Sequence, residues 1–167
     1  FTNAGKQKIP VPCLRDISML RMNGSIGPCD MNKVHGALPI DKSKIRRILI
    51  RATNWVGDAV MSMPAFEALR ENFPESHIAV LARPWVAPLY ESHPAANEVL
   101  PYKRGQGVLK DSSEFLRVIR SIRSLHFDMA VLFQNAFEAA LIARLAGIKV
   151  RVGYNTDGRG FLLSHSV

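Results

Sequence analysis

Cysteine is scarce in this chain. Cys13 and Cys29 are the only two among 167 residues, and no cysteine follows Ile45. Neither has a second cysteine or a histidine at the spacing of a metal-ligand pair, so the sequence does not predict a zinc site. A disulfide framework, which would indicate secretion, is also missing, and we therefore expect a cytoplasmic protein.

Long hydrophobic runs are absent as well. A membrane-spanning helix needs about 20 consecutive apolar residues. The longest apolar-rich segment, 136–146, is shorter than that and is interrupted by Glu138 and Arg144. Because 47% of the residues are hydrophobic, the composition instead predicts a globular protein with a buried core.

Basic residues outnumber acidic ones, and the formal net charge is +8. Residues 1–44 contain seven Lys or Arg and three Asp, and the rest contains 15 basic and 11 acidic residues, so each part carries +4. A mildly basic domain suits an anionic substrate or a membrane surface. The sequence has no basic stripe interleaved with aromatic residues, and we expect no nucleic-acid partner.

Residues 1–43 differ from the rest of the chain. They contain four prolines and four glycines, and no helical or strand period persists among them. This composition predicts a disordered leader, or sequence outside the native gene product. We expect residues 44–167 to form one domain.

Strand and helix patterns alternate from Ile45 onward. Pro64 predicts a kink or a later start in the first helix, and Gly147 is expected in the C′ position after the last one. This alternation is typical of a parallel sheet covered on both faces, and right-handed crossovers then give a doubly wound, Rossmann-like α/β domain. The predicted strands are 45–50, 77–82, 98–101, 129–133, 149–154 and 161–163, and the predicted helices are 57–72, 85–92, 112–124 and 136–146.

Ligands of such sheets bind beyond the carboxyl ends of the strands, where four polar segments are predicted: 51–58, 81–85, 133–137 and 153–160. The first segment has Gly57 at a helix start and Asp58 in the first turn, where the helix dipole favours its charge. Asp58 is then either a helix-start acid or a general base for a hydroxyl group. Because Gly57 is the only glycine there, neither a dinucleotide fingerprint nor a Walker A loop is predicted.

The other three segments supply two arginines and two amides. Arg83 lies in the second, Gln134 and Asn135 in the third, and Arg159 in the fourth. Each also has a purely structural interpretation. Arg83 could be a surface arginine, Asn135 could cap the next helix, and the fourth segment could be an ordinary turn. Together they would surround one rim, where the arginines could bind phosphate or carboxylate groups bidentately.

The same segments resemble a known family, the lipopolysaccharide heptosyltransferases. The resemblance depends on Asn54-Trp55-Val56-Gly57-Asp58 in its longer context 48–62, on Arg83-Pro84-Trp85, on Gln134-Asn135-Ala136-Phe137 and on residues 146–154. It runs from about residue 44 to the end of the chain, and the order and spacing of the motifs agree with the family.

The resemblance implies the N-terminal half of a GT-B glycosyltransferase, in which two Rossmann-like domains face each other across a cleft. It implies inverting, metal-independent transfer of heptose from ADP-heptose, the donor substrate, to a heptosyl-Kdo-lipid A acceptor, with no cofactor. By resemblance Asp58 is the general base. The acceptor-binding residues would be Asn54, Trp55, Gly57, Arg83, Gln134, Asn135 and Arg159, with Arg83 and Arg159 meeting its anionic groups.

The resemblance also places the donor site in a C-terminal domain outside these residues, so we expect the 167-residue chain to be inactive by itself. A lipid-linked acceptor further suggests peripheral contact with the cytoplasmic face of the inner membrane. Two alternatives stay open. One is a non-catalytic Rossmann-like binding module, and the other is a related GT-B sugar transferase with a different acceptor.

Overall fold

The computed structural model describes residues 40–102 and 112–167. It contains six strands and four α-helices, and most of the predicted leader lies outside the described residues. The strands are β1 (Arg47–Arg51), β2 (His77–Ala82), β3 (Glu98–Pro101), β4 (Met129–Leu132), β5 (Val150–Gly153) and β6 (His165–Ser166). The helices are α1 (Val56–Asn72), α2 (Ala87–Glu91), α3 (Ser112–Ser124) and α4 (Phe137–Leu145).

All six strands are parallel and form one sheet in the order β3-β2-β1-β4-β5-β6. The chain starts in the middle at β1, builds outward through β2 and β3, and then crosses to the other side of β1 to add β4, β5 and β6. The strand order therefore reverses between β1 and β4, which is where open α/β sheets bind ligands. This topology confirms the predicted doubly wound, Rossmann-like fold.

Each face of the sheet has its own hydrophobic core, because alternate strand residues point to opposite faces. Ile48 and Ile50 of β1 pack with buried residues of α1 and α2 on one face. Leu49 packs with buried residues of α3 and α4 on the other face. Since both faces are covered, the central strands are mostly apolar, as in Met129–Leu132 and in 78–82 of β2.

Two details differ from the sequence-based expectations. The first helix begins at Val56 and continues past Pro64, so the later start that proline suggested is wrong. Proline costs one backbone donor there, but the buried side chains of Ala59, Phe66 and Leu69 hold both halves of α1 on the core. The strand predicted at 161–163 is also wrong, because Gly160–Leu162 is a short 3₁₀-helix and β6 follows it.

The end of α4 agrees with its prediction in detail. Gly147 has a positive φ of 83° and lies in the C′ position after Ala146. Its N–H donates to Arg144 O at 3.1 Å, and Ile148 N–H donates to Ala143 O at 3.2 Å. These are the two hydrogen bonds of a Schellman motif, which turns the chain from α4 into β5.

Candidate active site at the carboxyl edge of the sheet

The turn after β1 presents an exposed carboxylate. Trp55 is the N-cap of α1 but makes no side-chain capping hydrogen bond, and Asp58 follows it as the third helical residue. The Asp58 side chain is exposed, and within the described residues its carboxylate makes no hydrogen bond or ion pair. An acid that served the helix alone would accept from the N-cap N–H, as in a capping box. Asp58 does not, so its carboxylate is available to a ligand.

Gly57 leaves space in front of this turn. A Cβ atom built on Gly57 would meet no other atom within 4 Å, so packing within the described residues does not require glycine there. Its φ is not in the left-handed region, so the backbone does not require glycine either. A ligand approaching the helix N-terminus closely would explain the residue, as the sequence suggested.

Asn54 is fixed from two sides. Arg51 Nη2 donates to Asn54 Oδ1 at 3.2 Å, and Trp85 Nε1 donates to the Asn54 carbonyl oxygen at 2.9 Å. The loop after β2 is thereby joined to the loop after β1. The side-chain oxygen of Asn54 therefore helps to hold the turn, and within the described residues its side-chain amide nitrogen makes no hydrogen bond.

Arg51 is the buried anchor of this turn, and the sequence-based reasoning did not single it out. Only 3% of its surface is exposed, and Nη1 donates to the carbonyl oxygens of Ala52 (2.8 Å) and Leu81 (3.3 Å). Burial, together with the nearby charge of Arg83, lowers the pKa of Arg51 to about 10. An arginine at the end of an otherwise apolar strand was the sequence signal that could have identified it.

Arg83, after β2, is a cation held by aromatic rings. Its guanidinium carbon lies 4.9 Å from the centre of the Tyr102 ring and 5.7 Å from the Trp85 ring. Within the described residues its guanidinium makes no hydrogen bond or ion pair, and Nε is buried without a partner. An arginine restrained in this way, with free terminal donors, is suited to a bidentate phosphate or carboxylate.

Gln134, Asn135 and Arg159 form a second group, between the ends of β4 and β5. Arg159 is 0% exposed. Its Nη1 donates to Gln134 O at 2.6 Å and to Ala136 O at 3.2 Å, Nη2 donates to Asn135 Oδ1 at 2.9 Å, and Nε donates to Tyr154 O at 2.9 Å. Nε, Nη1 and Nη2 of Arg159 thus all donate to acceptors within the protein, and the side chain presents no surface to a ligand in this structure.

The same group has two buried polar atoms without partners. Gln134 Oε1 and the Tyr154 hydroxyl are both buried and make no hydrogen bond within the described part of the chain. Buried polar atoms are usually paired, so these two are exceptions within the described part of the chain. Asn135 itself is exposed, with its side-chain oxygen held by Arg159.

The predicted residues therefore lie along one edge but not in one contact network. Asn54, Trp55 and Arg83 surround the ends of β1 and β2, whereas Gln134, Asn135 and Arg159 surround the ends of β4 and β5. Asp58 lies in the first turn of α1, shortly after Trp55 of the first group in the chain, and makes no hydrogen bond or ion pair with that group. Two exposed indole rings, Trp55 (75%) and Trp85 (61%), lie beside these polar groups, a combination of apolar surface and free charge that suits a sugar bearing anionic substituents.

Within the described ranges, no three His, Cys, Asp or Glu side chains are grouped closely enough to hold a metal ion. Over those same ranges no helix combines the length and apolarity that a membrane span needs.

A doubly wound parallel sheet with polar groups at its switch point defines a Rossmann-like ligand-binding domain. Residues 115–167 match the model of glycosyltransferase family 9 (heptosyltransferase). The chain is 34% identical over 118 residues to lipopolysaccharide heptosyltransferase 2 of Escherichia coli (strain K12), a match covering 71% of this chain and 34% of the relative. It is 35% identical over 118 residues to lipopolysaccharide heptosyltransferase 2 of Salmonella typhimurium, covering 71% and 34%.

The fold gives the same result. The solved structure of E. coli ADP-heptose lps heptosyltransferase II superposes with a TM-score of 0.61 at 32% identity, covering 70% of this chain and 33% of that one. Sequence and fold thus both show that the chain is similar to the heptosyltransferases of glycosyltransferase family 9, which confirms the resemblance predicted from its motifs. The chain spans about a third of the length of the curated relatives it matches.

Proposed function

We propose that these residues form the acceptor-binding part of an inverting glycosyltransferase. The donor substrate would be ADP-heptose, the acceptor the heptosyl-Kdo2-lipid A inner core of lipopolysaccharide, and no cofactor would be needed. The observation that carries the proposal is Asp58, an exposed carboxylate that neither caps its helix nor pairs with a neighbour within residues 40–102 and 112–167. The similarity to lipopolysaccharide heptosyltransferases 2 supports the choice of substrates.

In the proposed step, Asp58 accepts the proton of an acceptor hydroxyl. The hydroxyl oxygen attacks the anomeric carbon of heptose from the face opposite ADP, and a carbon–oxygen bond forms. The bond from the anomeric carbon to the phosphate oxygen breaks, and ADP departs with the electron pair. Inversion follows because a single displacement takes place. General base catalysis of this kind contributes typically ~10²–10⁴ in rate.

Three further residues are proposed to orient the acceptor. The free guanidinium of Arg83 would bind one of its anionic groups, and the indole of Trp55 would cover an apolar sugar face. Gln134, whose side-chain oxygen has no hydrogen-bond partner among the described residues, would accept from an acceptor hydroxyl. For Arg159 we revise the expected role: since it is buried, we propose that it positions Asn135 and the Gln134 backbone for the acceptor.

The test is Asp58→Asn in the polypeptide that contains this chain together with a donor-binding half. We expect transfer from ADP-heptose to fall by roughly 10²–10⁴ in kcat, because the amide cannot accept the proton. Glu71→Gln is the matched control, since Glu71 is exposed near the other end of the same helix. Activity of Asp58→Asn within a few-fold of wild type would exclude the base assignment.

The same assay separates the alternatives. A polypeptide that binds the acceptor but transfers no sugar would be a non-catalytic binding module. A polypeptide that transfers no heptose from ADP-heptose but uses another nucleotide sugar as donor would be a related transferase with a different specificity. Either result would replace the heptosyltransferase proposal.

A peripheral position on the cytoplasmic face of the inner membrane is also proposed. The lipid anchor of the acceptor requires it, and two exposed basic residues of α3, Arg120 and Arg123, supply positive charge for anionic lipid. Co-sedimentation of the chain with vesicles that contain anionic phospholipid should decrease as salt increases. Equal sedimentation with neutral and anionic vesicles, or none, would contradict it.

A further inference from the structure

Tyr102, directly after β3, connects two of the four polar segments with the first turn of α4, although it belongs to none of the four. Only 2% of its surface is exposed. The guanidinium carbon of Arg51 lies 5.2 Å from the centre of its ring, and that of Arg83 lies 4.9 Å from it. The Tyr102 hydroxyl donates to a carboxylate oxygen of Glu138, in the first turn of α4.

This arrangement is unusual for a tyrosine that only fills a core. Two cations share one ring, although like charges that lie close together repel each other. The electron-rich face of the aromatic ring attracts both guanidinium groups, and the Glu138 carboxylate next to the hydroxyl adds negative charge on the same side of the sheet. The ring therefore allows Arg83 to stay close to the buried Arg51 without pairing with an acid.

The two arginines then perform different tasks. Arg51 uses its donors inward, on Ala52, Leu81 and Asn54, and so fixes the turn after β1. Arg83 uses none of its donors within the described residues. If an acid had neutralised Arg83, the terminal donors would be occupied. An aromatic ring restrains the cation but leaves its hydrogen bonds for a ligand.

We propose that Tyr102 is a positioning residue that holds Arg83 in a ligand-ready orientation, and that Glu138 fixes the ring through its hydroxyl. The inference rests on the proposed function, in which Arg83 binds an anionic group of the acceptor. The ligand class is an organic phosphate or carboxylate. Tyr102 acts through Arg83 and does not itself touch the ligand.

The first experiment observes Arg83 directly, in the 167-residue chain. Side-chain NMR of wild-type protein should show the Arg83 guanidinium resonances shifted by the ring currents of Tyr102 and Trp85, with slowed rotation. Tyr102→Phe should keep the shift, because the ring remains, and Tyr102→Leu should reduce it. A wild-type Arg83 with the shifts and rotation of a free arginine would overturn the proposal even if no variant folded.

The second experiment measures transfer kinetics in the polypeptide that contains this chain and a donor-binding half. Tyr102→Leu should raise the KM for the acceptor roughly 10-fold, with the KM for ADP-heptose unchanged, since a desolvated cation–π contact is lost. Tyr102→Phe should raise the acceptor KM less. Tyr90→Leu is the matched control, because Tyr90 is equally buried but its ring contacts no described guanidinium.

The outcomes separate this inference from the proposed function. An equal rise in acceptor KM for Tyr90→Leu and Tyr102→Leu would mean that Tyr102 contributes only to the packing of the domain. The inference that it positions Arg83 would then be wrong. If the NMR shifts of Arg83 depend on Tyr102 but titration with inorganic pyrophosphate leaves them unchanged, Tyr102 positions Arg83 as inferred. The anion-binding role in the proposed function would then be wrong.

Discussion

Arg159 Nη2 donates to Asn135 Oδ1 at 2.9 Å, so the loop after β5 is fastened to the loop after β4. The same guanidinium donates to the carbonyl oxygens of Gln134, Ala136 and Tyr154. Four acceptors from two loops thus depend on one buried side chain. A planar group with five donors in fixed directions meets this demand, whereas a lysine, with one compact ammonium group, would not reach all four.

Replacing Arg159 should therefore be costly for folding. We expect Arg159→Met to lower the free energy of unfolding by about 3 kcal/mol, because several buried carbonyl oxygens lose their donors. Arg120→Met, at an exposed position of α3, is the control and should change it by less than about 0.5 kcal/mol. Urea denaturation measures both. Similar values for the two variants would show that the loops do not depend on Arg159.

Gly57→Ala should stabilise the domain. The added Cβ has open space within 4 Å, and alanine is favoured over glycine inside a helix. We expect the free energy of unfolding to rise by about 0.5–1 kcal/mol. In an assayable polypeptide, the same variant should raise the acceptor KM, because the methyl group occupies the space in front of the turn. A stabilised variant with unchanged KM would mean that no ligand approaches Gly57.

Gly147→Ala should have the opposite effect on stability. Here too the Cβ would meet nothing within 4 Å, but φ is +83°, a conformation that an L-residue with a side chain adopts at a cost. We expect a loss of about 1 kcal/mol, measured by urea denaturation. The two substitutions add the same methyl group to open space, so a difference in sign isolates the backbone contribution. Equal changes in the free energy of unfolding for Gly57→Ala and Gly147→Ala would contradict this explanation.

The strands and helices could be predicted because the sheet is covered on both faces. The central strands are then short and mostly apolar, as in β2 and β4, and a helical pattern separates most of the strands in the sequence. The 161–163 strand failed because three apolar residues are too few to distinguish a strand from a 3₁₀ turn. Pro64 was also misleading, since packing against the core outweighs the loss of one helical hydrogen bond.

The candidate site was only partly accessible from the sequence. Strand ends indicated which polar residues share an edge, and the structure places them there. The Tyr102 contacts depend on three separate segments meeting in space, and no spacing along the chain encodes that meeting. The burial of Arg159 was equally hidden, because a polar glycine-rich loop suggests an exposed side chain rather than one surrounded by carbonyl oxygens.

The three tyrosines of the chain, Tyr90, Tyr102 and Tyr154, make its stability sensitive to alkaline pH. Burial raises the pKa of each above the ordinary value of about 10, and the hydrogen bond to Glu138 raises the pKa of Tyr102 further. Their contribution to stability is fully present below the unfolded pKa and is lost as pH rises through the folded values. Four arginines oppose this: burial lowers the pKa of Arg51 to about 10 and also lowers the pKa of Arg70, Arg151 and Arg159 below the ordinary value.

We therefore expect the tyrosine contribution to the free energy of unfolding to fall as pH rises above about 10, because the unfolded chain releases tyrosine protons that the folded chain retains. Ultraviolet titration should show tyrosinate forming at higher pH in the folded chain than in the same chain in urea. Tyr102→Phe should remove one tyrosine from the late-titrating group and reduce the pH dependence. Tyrosines that ionise at the same pH in the folded and the unfolded chain would contradict the burial on which this expectation depends.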